Sequence, residues 1–322
     1  MQRPCSRDSI STSPSKEAAS SPGLHGMLII DKPEGISSAK AIQSLKKIPW
    51  IKKIGHTGTL DPFATGLLIC GINQGTRLSQ FFLHGGKTYE AELILGIETD
   101  TQDATGKIVA ASPEKLDGVT EAEIRKIIKT FEGAQLQSPP IYSALKHEGV
   151  PLYTLARMGT PVQKPPRPIV VKEITILRID LPSVFLEISC SGGTYIRTLC
   201  SDIGKKLNCG GHLKTLRRTE SAGFTLSDAV SFQAIKEIGA CDALKEKLIP
   251  LSSALKNMAA RIIDSAAEQR IKEGKPLNGI LGPVPESGPG LLKLLNADQR
   301  LIAVVSGEGG VSEYQYCCVF NH

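Results

Sequence analysis

A stretch of twelve residues, 55–66 (GHTGTLDPFATG), holds one carboxylate among residues that favour tight turns. Its three glycines relax the backbone while Pro62 fixes it, so a loop can display the Asp61 carboxylate. A carboxylate presented in this way can act as a nucleophile or as a general acid or base. An Asp that precedes a Pro is also common in ordinary turns, so these residue types alone leave a purely structural role open.

Three stretches of the chain concentrate basic side chains. Residues 35–60 have five Lys and no acidic residue, and residues 146–172 and 190–219 have net charges of +4 and +5. Because the whole chain has a net charge of +6, the remaining residues together carry −8. This distribution is typical of a protein that binds nucleic-acid phosphates, and ordinary solvated surface is the simpler alternative.

The composition indicates a soluble globular protein whose 322 residues suggest two domains. The eight Cys form no Cys-x-x-Cys pair, which disfavours zinc and redox sites, so we expect reduced thiols in a cytoplasmic protein. The longest apolar runs, 67–72 and 301–305, are far shorter than the ~20 residues of a membrane helix. Residues 1–25, with seven Ser and three Pro, are expected to form a disordered tail.

Periodicity and capping residues predict the elements that would position the loop. Residues 27–30 form a buried strand before a Pro, and the alternation in 87–95 places Tyr89 on the apolar face of a strand. Residues 169–180 and 184–190 are expected to form an antiparallel hairpin. The other expected elements are an extended segment at 141–145, a strand at 213–221 and helices at 38–47, 120–131, 194–207 and 227–238.

These strands and helices do not alternate strictly, as they would in a doubly wound parallel fold. The sequence therefore predicts an α+β protein with a mixed, largely antiparallel sheet. The pattern changes around 248–257, and residues 274–290 hold five Gly and four Pro. We expect a larger domain at 26–245 and a small β-rich domain at 246–322, with one helix at 264–273 and two or three strands.

The loop and five further segments together resemble one protein family. The segments are 26–33 (GMLIIDKP), 87–106 (KTYEAELILGIETDTQDATG), 138–146 (SPPIYSALK), 190–199 (CSGGTYIRTL) and 211–224 (GHLKTLRRTESAGF). In this order they resemble the TruB-type tRNA pseudouridine synthases over most of residues 26–224. Several motifs in register make the resemblance specific, whereas each short motif alone would be weak.

The resemblance implies that the protein isomerises uridine to pseudouridine at position 55, in the T loop of tRNA. It implies base flipping, no metal and no organic cofactor, a pseudouridine synthase fold for 26–245, and a PUA-like RNA-binding module for 246–322. The expected partner is the T stem-loop of tRNA, with no membrane partner, and a monomer is the default expectation.

The family's nucleophilic Asp falls on Asp61. Since an ordinary Asp is already ionised at pH 7, a nucleophilic role requires no pKa shift, whereas a general acid would need a shift of about three units. Attack at C1′ of the ribose and attack at the uracil ring both remain open.

The resemblance also assigns the residues around Asp61. Arg197 would be the cation that keeps Asp61 charged, and Asp103 would belong to the same ionic network. Tyr89 would stack on the flipped uracil and take part in removing the C5 proton. Tyr195 and Leu216 would line the pocket, and His56 would help to hold the flipped-out RNA. Lys32 would support either the loop or the RNA phosphates.

Four cations are candidates for phosphate contacts because they lie in the basic stretches: Lys52, Lys53, Arg217 and Arg218. Gly192 departs from the family pattern, since relatives often have a Lys there, and this removes one possible RNA contact.

Two other classes of function compete with the isomerase. A non-catalytic RNA-binding or RNA-folding protein would use the same groove without chemistry, and Asp61→Asn would then leave its function intact. An RNA or nucleoside glycosylase would share the first step at C1′ but would release free uracil after attack by water.

Overall fold

The computed structural model describes residues 24–238, 244–277, 280–281, 290–307 and 314–321. Residues 1–23 of the expected tail, and parts of 274–290 and 301–310, lie outside the described residues. The strands are β1 (Gly26–Lys32), β2 (Ile54–Thr57), β3 (Thr65–Ile72), β4 (Lys87–Leu95), β5 (Ile97–Thr99), β6 (Ile108–Ala111), β7 (Gly133–Gln137), β8 (Lys146–His147), β9 (Val150–Pro151), β10 (Arg167–Asp180), β11 (Ser183–Cys190), β12 (Gly211–Ser221), β13 (Phe224–Thr225), β14 (Val230–Ser231), β15 (Ala259–Ile262), β16 (Leu291–Leu295), β17 (Leu301–Ser306) and β18 (Gln315–Val319).

Within the described ranges eight α-helices accompany these strands, together with short 3-10 helices at Asn73–Leu78, Pro113–Gly118 and Leu226–Asp228. The α-helices are α1 (Ser38–Leu45), α2 (Ser79–Leu83), α3 (Glu121–Lys129), α4 (Leu152–Arg157), α5 (Ile196–Lys206), α6 (Phe232–Ile238), α7 (Leu251–Ala254) and α8 (Ser265–Lys272).

A ten-stranded sheet organises the larger part of the molecule. Its main path runs β14-β1-β3-β12-β4-β11-β10-β7, with β13 paired to β12 and β2 paired to β3. Among the described strands of this sheet, only the β1–β14 and β3–β12 pairs are parallel. The predicted α+β class with a largely antiparallel sheet is therefore confirmed, as is the β10–β11 hairpin.

The capping residues define two of the predicted helices. Ser37 caps α1 by accepting from the Lys40 N–H, and Thr120 caps α3 by accepting from the Glu123 N–H. Both helices end two residues earlier than predicted, and α5 begins at Ile196 rather than at residue 194.

Two predictions of secondary structure were wrong. The expected helix at 227–238 begins only at Phe232, because residues 226–228 form a 3-10 turn and β14 pairs with β1. Residues 141–144 form bends instead of an extended segment.

Apolar cores cover both faces of the sheet. On one face α3 and α5 pack over β4, β10 and β11, with Leu93, Leu186 and Leu199 inside. On another, Met27 of β1 and Leu67 of β3 share a core with residues of the C-terminal sheet: Leu295, Leu301, Val304 and Phe320.

The C-terminal sheet has four strands in the order β15-β16-β17-β18, whereas two or three were expected. The expected helix at 264–273 corresponds to α8. Of the six Cys in the described part of the chain, five are buried, as expected for small apolar residues. Within the described residues, no helix has the length and apolar character needed to cross a membrane.

Candidate active site

The loop that bears Asp61 connects β2 to β3 and is fixed from beneath by α1 and β1. The Ser38 hydroxyl at the start of α1 accepts from the Leu60 N–H at 2.9 Å and donates to the Leu60 carbonyl at 3.0 Å. The Pro62 carbonyl accepts from the Gly35 N–H at 2.8 Å and from Lys32 Nζ at 3.3 Å. Since the residues on both sides of Asp61 are held, its carboxylate is displayed in a fixed position.

Arg197 of α5 faces this carboxylate. Its Nε lies 2.9 Å from Asp61 Oδ2, and its Nη2 donates to Oδ1 at 3.5 Å. The guanidinium is almost fully buried, whereas 37% of the Asp61 side chain is accessible. Arg197 is therefore held in the wall, and Asp61 presents its carboxylate to the space in front of it.

Three further acceptors fix the Arg197 guanidinium. Its Nη1 donates to the Thr101 carbonyl at 2.8 Å and lies 3.5 Å from Asp103 Oδ2, and its Nη2 donates to the Tyr142 carbonyl at 2.8 Å. The Asp103 carboxylate itself accepts from the Thr105 N–H and hydroxyl at 2.9 and 2.6 Å. The ionic network that the resemblance implied for Asp61, Arg197 and Asp103 is thus present.

The surroundings shift the pKa of the Asp61 carboxyl in opposing directions. Burial is the largest effect and raises this pKa, and the Asp103 charge adds to the rise, while Arg197 and Lys32 lower it. The net result is a raised pKa. Arg197 is accordingly the group that most strongly opposes this rise and favours the ionised form of a partly desolvated carboxylate.

A cleft of about 750 Å³ opens in front of Asp61. Tyr89, which is 6% exposed, and Leu216, which is 8% exposed, form its apolar floor, and Tyr195 lies at its side. The Arg167 guanidinium lies 5.0 Å from the Tyr195 ring centroid. An apolar floor beside a carboxylate is the arrangement that an extruded nucleobase requires.

Tyr89 and Arg218 interact beneath this floor. Burial raises the pKa of the Tyr89 phenol, while the charge of Arg218 and its hydrogen bond to the phenol lower it. Arg218 is 1% exposed and also donates to the Leu67 and Gly58 carbonyls at 2.7 and 2.9 Å. It therefore supports the loop and the phenol, and it is not displayed to solvent as the expected phosphate contact would be.

Lys32 is buried in a similar way. Its Nζ donates to the Pro33 and Ile36 carbonyls, both at 2.8 Å, in addition to Pro62. Burial lowers the pKa of Lys32 to about 8, although the charge of Asp61 raises it. Of the two alternatives for Lys32, its surroundings favour support of the loop over contact with a phosphate.

The other predicted residues lie outside the cleft wall. His56 is half-buried in β2; burial lowers its pKa, and its Nδ1 has no hydrogen-bond partner in the part of the chain that the structure describes. Arg217 makes a two-pronged ion pair with Asp31, at 2.7 and 3.2 Å. Lys52 and Lys53 are exposed, as a phosphate contact requires.

Several functional candidates were missed from the sequence. Lys87 opens β4, lines the cleft and donates to the Leu83 and Gly85 carbonyls at 3.1 and 2.9 Å; burial lowers its pKa to about 8. Ser143 and Gln137 are each 4% exposed, and Ser143 lines the cleft. These residues belong to the quoted segments 87–106 and 138–146 or precede them by one position, which was the available signal.

A second groove of about 1070 Å³ continues from the first and reaches the C-terminal sheet. The two cavities share His84 and Lys87, and Lys172 and Lys256 lie along the second groove. The space in front of Asp61 is thus the end of a longer channel.

Gly192, the departure from the family pattern, lies where the turn after α2 approaches most closely. A Cβ at this position would overlap the Leu83 carbonyl and would lie 2.9 Å from His84 Cα. A lysine cannot occupy this position unless the turn moves, which gives the departure a steric basis. In the described residues, no group of three or more His, Cys, Asp or Glu side chains could hold a metal ion.

Comparisons with known proteins agree with this geometry. Residues 46–196 match the family described as TruB family pseudouridylate synthase (N terminal domain), and residues 197–256 match the tRNA pseudouridylate synthase B C-terminal domain. The tRNA pseudouridine synthase B of Syntrophotalea carbinolica is 41% identical over 254 residues, covering 79% of this chain and 82% of the relative.

The enzyme of the same name from Bordetella avium is 47% identical over 213 residues, which cover 66% of this chain and 87% of the relative. Among solved structures, a chain of a Cbf5-Nop10-Gar1 complex superposes with a TM-score of 0.67 at 25% identity, covering 92% of this chain and 86% of that chain.

Proposed function

Because the chain belongs to the TruB family of pseudouridylate synthases and is an isomerase that forms pseudouridine in tRNA, we propose that its target is the T-loop uridine at tRNA position 55. The observation that carries this proposal is the Asp61–Arg197 pair at 2.9 Å, at the end of a cleft whose floor is Tyr89. The pair supplies an ionised carboxylate beside a surface on which a base can stack.

In this proposal Asp61 is the nucleophile, and its carboxylate oxygen forms a transient bond either to C1′ or to the uracil ring. The C1′–N1 bond breaks, the uracil rotates, a bond forms between C1′ and C5, and the bond to Asp61 breaks again. The proton on C5 is lost to a base, and N1 gains a proton from solvent. Arg197 keeps Asp61 ionised against burial, and Asp103 in turn fixes Arg197.

Tyr89 supports two parts of this reaction. Its ring stacks on the uracil. Its phenol first gives its own proton to solvent, and the resulting phenolate, stabilised by the Arg218 charge, receives the proton from C5. Because burial raises the pKa of the phenol, this phenolate is only transient. The positive charge beneath it makes a transient phenolate accessible in a buried site.

We propose that the T stem-loop follows the channel from the cleft to the C-terminal sheet. Lys172 and Lys256 along the second groove, and Lys52 and Lys53 on the surface, contact phosphates. Residues 246–322 then act as the PUA-like RNA-binding module. A monomer is sufficient for the reaction because one chain supplies the whole site, and we place the protein in the cytoplasm. His56 is proposed to stabilise the flipped-out RNA.

The test is a T stem-loop RNA incubated with the protein and digested to nucleosides and short fragments for mass spectrometry. We expect pseudouridine at position 55 alone, at unchanged mass, and none in a control RNA with cytidine at that position. Release of free uracil would instead establish a glycosylase, and tight binding without any product would establish an RNA-binding protein.

A further inference from the structure

Gln137, at the end of β7, forms two hydrogen bonds to the backbone of Tyr195 through its side-chain amide. Its Oε1 accepts from the Tyr195 N–H at 2.8 Å, and its Nε2 donates to the Tyr195 carbonyl at 3.0 Å. The amide thus pairs with the backbone N–H and C=O of one residue, as a neighbouring strand would. Gln137 is 4% exposed, so water does not compete for these bonds.

The gripped residue lies at the beginning of α5. Tyr195 is the N-cap of this helix, and no side-chain hydrogen bond from the cap residue itself closes the helix end. The Tyr195 carbonyl also accepts the helical hydrogen bond of the Leu199 N–H at 3.1 Å. Gln137 therefore supplies from another element the restraint that a capping side chain normally provides.

Arg197 follows Tyr195 by only two residues. Its Nε lies 2.9 Å from Asp61 Oδ2, and its Nη2 donates to the Tyr142 carbonyl at 2.8 Å. Tyr142 belongs to the segment that follows Gln137. A change in the direction of the first helical turn would move the Arg197 side chain relative to Asp61. The amide of Gln137 is the contact that fixes this direction from β7.

We propose that Gln137 is a positioning residue for the isomerase reaction. It aligns the Arg197 guanidinium with the Asp61 carboxylate by holding the Tyr195 backbone at the start of α5. This inference rests on the proposed function, because it acts through the nucleophilic carboxylate. It does not require Gln137 to touch the RNA.

The proposal has a signature in the pH dependence of activity. Asp61 is faced by Arg197 from α5, Asp103 from the loop after β5, Lys32 from β1 and Tyr89 from β4. Arg197 is the group among them whose position Gln137 controls. If Arg197 moves away, the Asp61 pKa rises further, and the acid limb of kcat/KM moves to higher pH.

The experiment compares Gln137→Met with the unchanged protein on a T stem-loop RNA between pH 5 and 8. Methionine keeps the length and volume of the side chain but removes both hydrogen bonds. We expect kcat to fall by about tenfold or more, KM to change little, and the acid limb to move upward by roughly one pH unit.

Gln74 offers a matched control, because its amide grips the Asn321 peptide in the same two-bond manner. Gln74→Met removes an equivalent pair of bonds at a residue that does not line the cleft, so we expect kcat and the acid limb to stay unchanged. An acid limb that is the same in Gln137→Met as in the unchanged protein would overturn the proposal.

A second measurement separates positioning from loss of folding. Gln137→Met is combined with Arg197→Lys: if Gln137 acts through Arg197, the double variant loses little more activity than Arg197→Lys alone. Independent, multiplicative losses would contradict the proposal. If Gln137→Met does not fold, Gln137→Asn, which is one methylene too short to hold both bonds, replaces it. Absence of turnover in the unchanged protein would instead reject the proposed function.

Discussion

At the scale of single residues, the site combines one accessible carboxylate with cations that are buried under it. The Asp61 side chain is 37% accessible at the cleft, while Arg197, Lys32 and Arg218 are buried and engaged with carbonyl groups and carboxylates. The cations therefore adjust the charge of the site, and the proposed function places the chemistry on Asp61.

Asp61→Asn separates catalysis from stability. Because the folded state raises the pKa of this carboxyl, its ionised form is less favourable there than in the unfolded chain. A neutral amide removes this penalty, so we expect the Tm to stay unchanged or rise while kcat falls by roughly 10³-fold or more. The measurements are thermal unfolding and single-turnover kinetics.

Asp202→Asn is the matched control, since burial also raises the pKa of this α5 carboxyl but it does not line the cleft. It is expected to keep full activity. A clear drop in Tm for Asp61→Asn would contradict the sign of the shift at Asp61.

The lowered pKa values of Lys32 and Lys87 predict that activity declines at mildly alkaline pH. Burial lowers the pKa of each to about 8 from 10.5, so both lose their charge within the range of an ordinary assay. Loss of the Lys32 charge raises the pKa of Asp61, and loss of the Lys87 charge removes a cation from the cleft. We expect kcat/KM to decrease above pH 8, measured up to pH 9.5.

Unfolding would not account for such a decline. Between about pH 8 and 10.5 the folded state binds fewer protons at these lysines than the unfolded chain does, so their contribution to stability rises with pH. A pH profile that stays flat to pH 9.5 would mean that neither charge supports the reaction.

The sequence predicted the ionic network around Asp61 better than the residues that support it. Asp61, Arg197 and Asp103 lie in quoted segments, and the structure joins them in one network. Arg218 was assigned to phosphates because it lies in a basic stretch, but its side chain is buried, and a sequence does not indicate which charged residues are buried. Gln137 was missed because a glutamine acquires a role only from the peptide that faces it.

At the scale of elements, the position of the loop that bears Asp61 depends on how closely β3 approaches β12. Gly66 at the start of β3 has a φ of 98°, and a Cβ there would overlap the Arg218 carbonyl and lie 2.8 Å from the Arg218 nitrogen. This close approach places the buried Arg218 beneath the loop.

Gly66→Ala therefore combines an unfavourable φ with a backbone clash. We expect the free energy of unfolding to fall by about 3 kcal/mol or more, measured by denaturant titration. Gly133 has nearly the same φ, 99°, with no atom within 4 Å of the added Cβ. Gly133→Ala should cost only about 1 kcal/mol, and equal losses for both variants would contradict the clash.

Strands with a clear alternation were predicted well, as β4 and the β10–β11 hairpin illustrate. The helix expected at 227–238 was wrong in its first half, because Val230 and Ser231 pair with Ile30 and Asp31 of β1. Such a pairing between distant segments has no local signal, and it outweighs the helical tendency of a short polar segment.

At the scale of the whole molecule, the C-terminal sheet shares its core with the larger sheet. Phe320 is fully buried among Met27, Leu67 and Leu301, and the Arg77 guanidinium lies 5.9 Å from its ring centroid. The two expected domains are therefore coupled through one apolar core.

Phe320→Ala should consequently destabilise both parts together. We expect a loss of about 3–5 kcal/mol, with one unfolding transition seen equally by circular dichroism and by the fluorescence of Trp50, which packs near α1. Leu177→Ala, at a site that is 55% exposed, is the control and should have little effect. A Trp50 transition that stays at its original midpoint in Phe320→Ala would show that the parts unfold separately.

The distribution of charge predicts how RNA affinity depends on salt. Lys52→Gln combined with Lys53→Gln should weaken binding and reduce the slope of log K against log salt by about 2, with kcat unchanged. Lys107→Gln combined with Lys126→Gln, which changes exposed lysines outside the basic segments, should leave the slope as it is. Equal slopes for both pairs would place the RNA on another surface.

The central claim is that Asp61 performs the isomerisation at one uridine. Tritium release from tRNA that carries 5-tritiated uridine tests it most directly, because the C5–H bond breaks only if the base is transferred to C5. We expect the unchanged protein to release one tritium per tRNA and Asp61→Asn to release none while still binding the RNA. Release by Asp61→Asn at the unchanged rate, or no release by either protein with RNA binding retained, would contradict the account.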